Sequence, residues 1–264
     1  MTTASSSRWL DLEGVANARD LGGLPLAGGG VTAPGVLLRS DNLQGLTPGD
    51  VHRLVEELRL AVVVDLRTGI EVSLEGPGPL VADGRVDIRH RDLYPEIGDH
   101  TDAAADGMTF PWVAARGRAG EETPAVRAYL GYLRDRPDSV LDALRDIAHA
   151  DGAALVHCAA GKDRTGVVCM LALAVAGATR EAIVADFVAT GERIGALMAR
   201  LRASPTYAHD LRERPDEAHA PRTETMERVL DVLGERHGGA LGWLEQAGLG
   251  GADAAALRRR LQSS

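Results

Sequence analysis

A chain of 264 residues, 45% hydrophobic and 25% charged, has the composition of an ordinary globular protein and the length for one generous domain. A formal net charge of −9 argues against general nucleic-acid binding, which needs a basic face to displace counterions from phosphates. Two cysteines in no framework pattern exclude a disulfide scaffold and suit a reducing compartment, where a cysteine serves better as a reagent than as a staple.

In chain order, residues 1–10 read as a disordered polar tail and 11–264 as a single domain, since no Gly-, Ser- or Pro-rich linker divides the remainder. No signal-peptide pattern opens the chain, and the longest apolar helix is about half the ~20 residues needed to span a bilayer. The expectation is a cytoplasmic protein without stable membrane insertion; a leaderless export route and the oligomeric state stay open. Asn17 and Arg19 to Gly23 read as a structural turn with Arg19 paired to a carboxylate, and Gly28-Gly29-Gly30 with Pro34-Gly35 as a turn between two short strands. A strand is predicted over 36–39, with Arg39 and Asp41 as a solvated pair. Thr47-Pro48 forms an N-cap and first helical position for a helix over 48–59, whose Val51, Leu54, Val55 and Leu58 share a face. A strand over 61–66 ends at Asp65 and Arg67, read as a pair that holds a neighbouring loop. Another strand follows over 86–89.

The remaining predicted elements are a helix over 124–150, a strand over 153–158, and helices over 164–176, 180–190, 194–203 and 223–236. Between Glu192 and Arg222 the chain turns charged and carries Pro205, Pro215 and Pro221, which suits either a surface excursion or a helical lid. Arg-rich pieces at 85–91 and 212–222 are mixed with acids and read as solvated faces. Arg258-Arg259-Arg260 is a short basic end. Strands separated by helices make an α/β fold with a mostly parallel central sheet flanked by helices on both faces.

The chemistry concentrates in His157-Cys158-Ala159-Ala160-Gly161-Lys162-Asp163-Arg164-Thr165-Gly166. The apolar run 153–156 before it and the apolar helix after it place this loop at a strand's carboxyl end and a helix's amino end, where unpaired N–H groups and the helix dipole favour an anion. Five residues between Cys158 and Arg164 let the backbone of Ala159, Ala160, Gly161 and Lys162 curl so that its N–H groups converge on a phosphate. Arg164 offers two parallel donors, a fork that lysine cannot copy. A cysteine under converging N–H dipoles at a helix start is favoured as the thiolate, so Cys158 is the candidate nucleophile for an in-line attack on phosphorus. Thr165 is placed to donate to the sulfur and ease its departure. His157 orients the loop from behind, and Lys162 adds charge for a second phosphate or an acidic flank. Asp163, inside the loop, is the candidate general acid and then base. The Phe110-Pro111-Trp112-Val113 run carries no aspartate after it, and Asp92, Asp99, Asp102 and Asp106 are the runner-up acids. Cys169, within the apolar helix, reads as a small buried hydrophobe, with a protective disulfide to Cys158 as the sharper alternative. No metal-ligand constellation appears among the eight scattered histidines, and such a mechanism needs no cofactor.

These motifs resemble the bacterial tyrosine and lipid phosphatases typified by the mycobacterial protein tyrosine phosphatase B. The resemblance rests on residues 157–166, on Asn17-Ala18-Arg19-Asp20-Leu21-Gly22-Gly23, on Leu37-Leu38-Arg39-Ser40-Asp41 and on Val62-Val63-Val64-Asp65-Leu66-Arg67; between Asp99 and Thr123 no motif matches. It implies a single domain of the cysteine-phosphatase type, activity on phosphotyrosine, phosphoserine or phosphothreonine and phosphoinositides, and an in-loop aspartate as acid. It also raises the expectation that Arg19 lies near the loop. The substrate expected is a phosphorylated protein or a phosphoinositide, with protein phosphotyrosine first and a phosphoinositide-selective enzyme as the alternative. A rhodanese-like sulfur carrier and a non-catalytic phosphoprotein-binding module are the readings from other classes.

Overall fold

The computed structural model describes residues 7–94, 122–208, 211 and 215–263. Five strands form one sheet: β1 (Arg19–Asp20), β2 (Leu37–Ser40), β3 (Leu60–Asp65), β4 (Asp87–His90) and β5 (Ala153–His157), in the spatial order β1-β2-β5-β3-β4. All neighbours are parallel except β1, which runs antiparallel to β2 at the edge. The predicted α/β fold with a mostly parallel sheet is what the chain adopts. β5 lies at the centre and is buried along its whole length, as an unalternating apolar strand must be when both sheet faces are covered. Alternation sends Leu38, Val63 and Leu155 into the core beneath α1 (Pro48–His52) and α3 (Pro79–Asp83), and Leu37, Val64, Ala154 and Val156 into the larger core on the other face. Ser40 and Asp65 both stand in register with His157, so three strands end together and the residues after them meet at one rim. Ligands of open α/β sheets bind at such a rim.

Local chemistry explains where the helices differ from expectation. Thr47 caps α1 through a capping box with Asp50, but the helix then widens into a π turn over Arg53–Glu57, and Arg59 lies outside it at φ +53°. α2 (Gly69–Glu75) and α3 were not foreseen from the sequence. The predicted helix over 124–150 is two, α4 (Pro124–Asp135) and α5 (Pro137–Ala148), because Pro137 has no N–H to donate and Arg136 leaves the helical region. α6 (Asp163–Ala176) is buried on nearly every side and ends at Gly177 in the left-handed region. α7 (Arg180–Ala189), α8 (Ile194–Ala203), α9 (Pro205–Ala208), α10 (Thr223–His237), α11 (Ala240–Ala247) and α12 (Gly251–Leu261) are the other described α-helices.

Three further readings are corrected. The tail does not extend to residue 10: Trp9 bridges Arg19, and Leu10 donates to the Ala18 carbonyl. Arg19 and Asp20 form a short edge strand rather than part of a turn. Arg39 and Asp41 are not a solvated pair but are each 1% exposed and have separate partners. At the basic end, Arg258 and Arg259 stay exposed, although Arg258 Nε donates to the Val175 carbonyl at 2.9 Å. Within the stretch 192–222, α8 and α9 pack Leu197, Met198, Leu201 and Tyr207 against Ala159, which lays these two helices over the loop after β5.

Candidate active site

The loop from Cys158 to Arg164 is held from outside through its carbonyls. The Cys158 carbonyl meets His157 Nδ1 at 3.2 Å, and that of Ala159 accepts the Asn42 N–H at 2.9 Å. Asn17 Nδ2 reaches the Ala160 carbonyl at 2.9 Å and the Gly161 carbonyl at 3.2 Å, and Arg39 Nη2 reaches the Gly161 carbonyl at 2.6 Å. A trans peptide points its N–H opposite to its C=O, and no described peptide bond is cis. Carbonyls gripped on the outside therefore turn the N–H groups of 159–162 inward. Gly161 is required here twice over: its φ is +62°, and a Cβ would stand 2.2 Å from the Ser40 carbonyl oxygen.

Arg164, in the first turn of α6, is gripped end-on by Glu71 of α2, Nη1 to Oε2 at 2.6 Å and Nη2 to Oε1 at 2.9 Å, with Nη1 also donating to the Leu66 carbonyl. Its guanidinium lies 5.5 Å from the Tyr94 ring centroid. The partner of the predicted fork is thus a fully buried carboxylate, itself fixed as the N3 member of a capping box with Thr68. Burial raises the Glu71 carboxyl, but the Arg164 charge and its bonds outweigh that and hold it below the usual carboxylate range. A guanidinium has five N–H groups, so this grip orients Arg164 without exhausting what it offers an anion.

Asp65 and Arg67 pair directly, Oδ2 to Nη2 at 2.6 Å, with His157 Nε2 3.6 Å from Asp65 Oδ1. Burial pushes the Asp65 carboxyl up, yet the neighbouring ring and guanidinium hold it below its usual range. Burial also lowers His157 to about 4, so the ring behind Cys158 is neutral at pH 7. Arg19 does pair with a carboxylate, Nε to Asp186 Oδ1 at 3.0 Å, and its Nη1 donates to Asn17 Oδ1 at 2.6 Å, which links it to the loop through the asparagine.

A cleft of about 290 Å³ opens above the loop, floored by Cys158, Ala159 and Ala160. One wall is aromatic: Tyr94, Tyr129 and Tyr132, with the Tyr94 and Tyr132 hydroxyls 2.8 Å apart. Small or apolar side chains of Ala125, Ala128, Met198 and Leu201 line much of the rest. Asp163 and Lys162 stand at its side. The Tyr129 hydroxyl donates to Asp163 Oδ1, and Lys162 Nζ donates to the His219 carbonyl at 2.7 Å while lying 3.6 Å from Asp163 Oδ1. Lys162 therefore engages the covering segment, where the sequence suggested a second phosphate. Thr165 Oγ1 is buried, with no hydrogen-bond partner among the described residues. Asp92 is not among the residues that line the cleft, and its carboxyl is raised by burial against the Tyr94 N–H and the Arg164 charge; Asp99, Asp102, Asp106 and Phe110 to Val113 fall outside the described residues. Cys169 is buried beside Arg39 and Asp186, its thiol pushed up to about 12 by burial, and both cysteines are free thiols. Among the described residues no cluster of three or more His, Cys, Asp or Glu side chains could hold a metal ion, and no helix is long and apolar enough to cross a membrane.

Glu71, Tyr129 and the roles of Asn17 and Arg39 escaped the sequence reading. Thr68-x-x-Glu71 is a visible capping-box signature, which could have announced α2 but not the arginine Glu71 meets. A family model described as the tyrosine phosphatase family matches residues 10–263. The chain is 28% identical to the triple specificity protein phosphatase PtpB of Mycobacterium tuberculosis, over 90% of this chain and 94% of that one. It is also 28% identical to a tyrosine-protein phosphatase of Nostoc commune, over 85% of this chain and 73% of the relative.

Proposed function

The chain belongs to the tyrosine phosphatase family and is a phosphatase, and from that premise we propose that it hydrolyses phosphomonoesters, protein phosphotyrosine foremost, through a cysteinyl-phosphate on Cys158. The observation that carries this reading is the loop whose carbonyls are tied outward around a cysteine at the cleft floor. Phosphate oxygens would take the inward N–H groups and the Arg164 guanidinium while Cys158 Sγ attacks phosphorus in line. As the P–O bond breaks, Asp163 gives its proton to the leaving oxygen. Asp163, now ionised, takes a proton from water that attacks phosphorus. The P–S bond then breaks, Thr165 donates a hydrogen bond to the departing thiolate, and inorganic phosphate leaves. His157, Asp65 and Arg19 serve by holding the loop.

The aromatic and small-residue walls suit a phenyl ring, which favours phosphotyrosine over a polyhydroxylated head group. Phosphoinositides are the second substrate class, for which Lys162 would have to leave the His219 carbonyl, and the name of the M. tuberculosis relative, triple specificity, supports a wider range. The stretch 192–222 acts as a lid, since Met198, Leu201, Tyr207 and His219 line the cleft and Lys162 ties its far end. Proteolysis within it, slowed by a phosphate analogue, checks this. The deciding experiment is phosphate release from matched phosphotyrosine, phosphoserine and phosphothreonine peptides and phosphoinositides, with Cys158→Ser as control. Cys158-dependent release with phosphotyrosine ranked first is expected. Turnover surviving in Cys158→Ser would overturn the mechanism, and persulfide on Cys158 with no release would transfer the reading to a sulfur carrier.

A further inference from the structure

Arg39 is among the largest fully buried side chains of the described residues, yet the mechanism above gives it no part. It rises from β2, a strand buried along its length, and its two terminal nitrogens divide between two partners. Nη1 donates to Asp186 Oδ2 at 2.6 Å, and Nη2 to the Gly161 carbonyl, also at 2.6 Å. Asp186 additionally receives Arg19, so two buried guanidinium groups face one buried carboxylate. Such an arrangement is a poor way to gain stability, because a hydrophobic filling of similar volume avoids the desolvation of three charges. Its geometry serves the loop better than the core.

Gly161 has no side chain to anchor it and sits at φ +62°, so the Gly161–Lys162 peptide is the link of the loop with the least intrinsic resistance to rotation. Were that peptide to turn over, its carbonyl oxygen would point into the anion site and its N–H would point out. A carbonyl bonded to a charged donor is held about twice as firmly as one bonded to a neutral donor, and the bond polarises the N–H at the other end of the same peptide. We infer that Arg39 is a positioning residue of the phosphate site, fixing and polarising the Gly161–Lys162 peptide so that its N–H stays turned toward a bound oxyanion. Asp186 keeps the guanidinium aimed. Arg19 supports the same peptide indirectly, through Asn17. The inference rests on the loop being the phosphate site.

The test uses the full chain, tungstate as a phosphate-shaped competitive inhibitor, and kcat and KM for p-nitrophenyl phosphate. Arg39→Met should weaken tungstate inhibition by about 10- to 100-fold, the loss expected for a buried charged hydrogen bond, with KM raised and kcat lowered. Arg39→Lys keeps the charge but not the fork and should fall between methionine and wild type; if methionine does not fold, lysine decides alone. Leu257→Ala, a core truncation on α12, serves as a destabilised control and should leave tungstate inhibition unchanged. Wild-type inhibition in folded Arg39→Met or Arg39→Lys would overturn the inference, as would an equal loss in Leu257→Ala. Cys158→Ser should bind tungstate without turnover. Persistent turnover there would remove the site reading and this inference with it, whereas an inert Cys158→Ser beside an unaffected Arg39 variant overturns the inference alone.

Discussion

Glu71→Gln removes the negative member of a buried pair and leaves the Arg164 guanidinium in place. Both oxygens of Glu71 bond to Arg164, at 2.6 and 2.9 Å, and both side chains are at most 5% exposed. The guanidinium cannot escape by losing its proton, so the variant must carry an uncompensated buried charge, at a cost of about 3–5 kcal/mol. With each kcal/mol worth about 2–4 °C in a chain approaching this size, melting should fall by roughly 6–20 °C. The difference has a pH signature. The Glu71 carboxyl is depressed in the folded protein, so its contribution is complete above the unfolded value of about 4.3 and is lost as pH falls below it. The gap between wild type and variant should therefore be widest at neutral pH and narrow toward pH 3. Turnover of an aryl phosphate should drop by about 100-fold, the scale for misplacing a positioned group by an ångström. Glu71→Asp keeps the charge on a shorter stem and should recover stability more than turnover. Calorimetric melting across pH, with kcat and KM for the three forms, makes the measurement. A glutamine variant with wild-type melting and turnover would refute the view that Glu71 fixes Arg164.

Other perturbations probe the remaining parts of the site. Asp163→Asn should slow alkyl phosphates by about 100-fold or more and aryl phosphates much less, since a phenoxide needs less protonation; paired kinetics with both classes decide, and equal losses would point away from Asp163 as the acid. Gly161→Ala forces a Cβ onto the Ser40 carbonyl at a positive φ, so tungstate inhibition should be lost along with turnover; wild-type inhibition would mean that the loop has room the geometry denies. His157 titrates near 4 when folded and near 6.5 unfolded, so the unfolded chain binds the extra proton between these values. Stability should fall by up to roughly 3 kcal/mol as pH drops through this window. Urea midpoints from pH 7.5 to 4.5 should show a shallower fall in His157→Asn, and identical slopes would refute the assignment.

Much of the fold and the core of the candidate site were legible in the sequence because they depend on neighbours along the chain. The apolar run at 153–156, a glycine three residues after Cys158 and the apolar helix from Val167 place a cysteine, a tight loop and an arginine at one strand-to-helix junction. The capped start of α1 is equally local. The break at Pro137 was also written in the sequence, and the apolar pattern on both sides concealed it. What the chain order does not encode is who satisfies whom. The donors that turn the loop's N–H groups inward come from Asn17, Arg39 and Asn42, more than a hundred residues upstream, and the carboxylate that grips Arg164 comes from a short helix after β3. Arg39 and Asp41 look like surface charges until Asp186 of α7 meets the first and Arg200 of α8 the second. A buried polar group is tolerated only where a partner stands within about 3 Å in the right direction, and that condition is set by strand register and helix packing, not by spacing in the chain. Sequence thus determined the candidate nucleophile, the loop and its place at the helix start. Tertiary structure alone decided how the loop is held open to an anion.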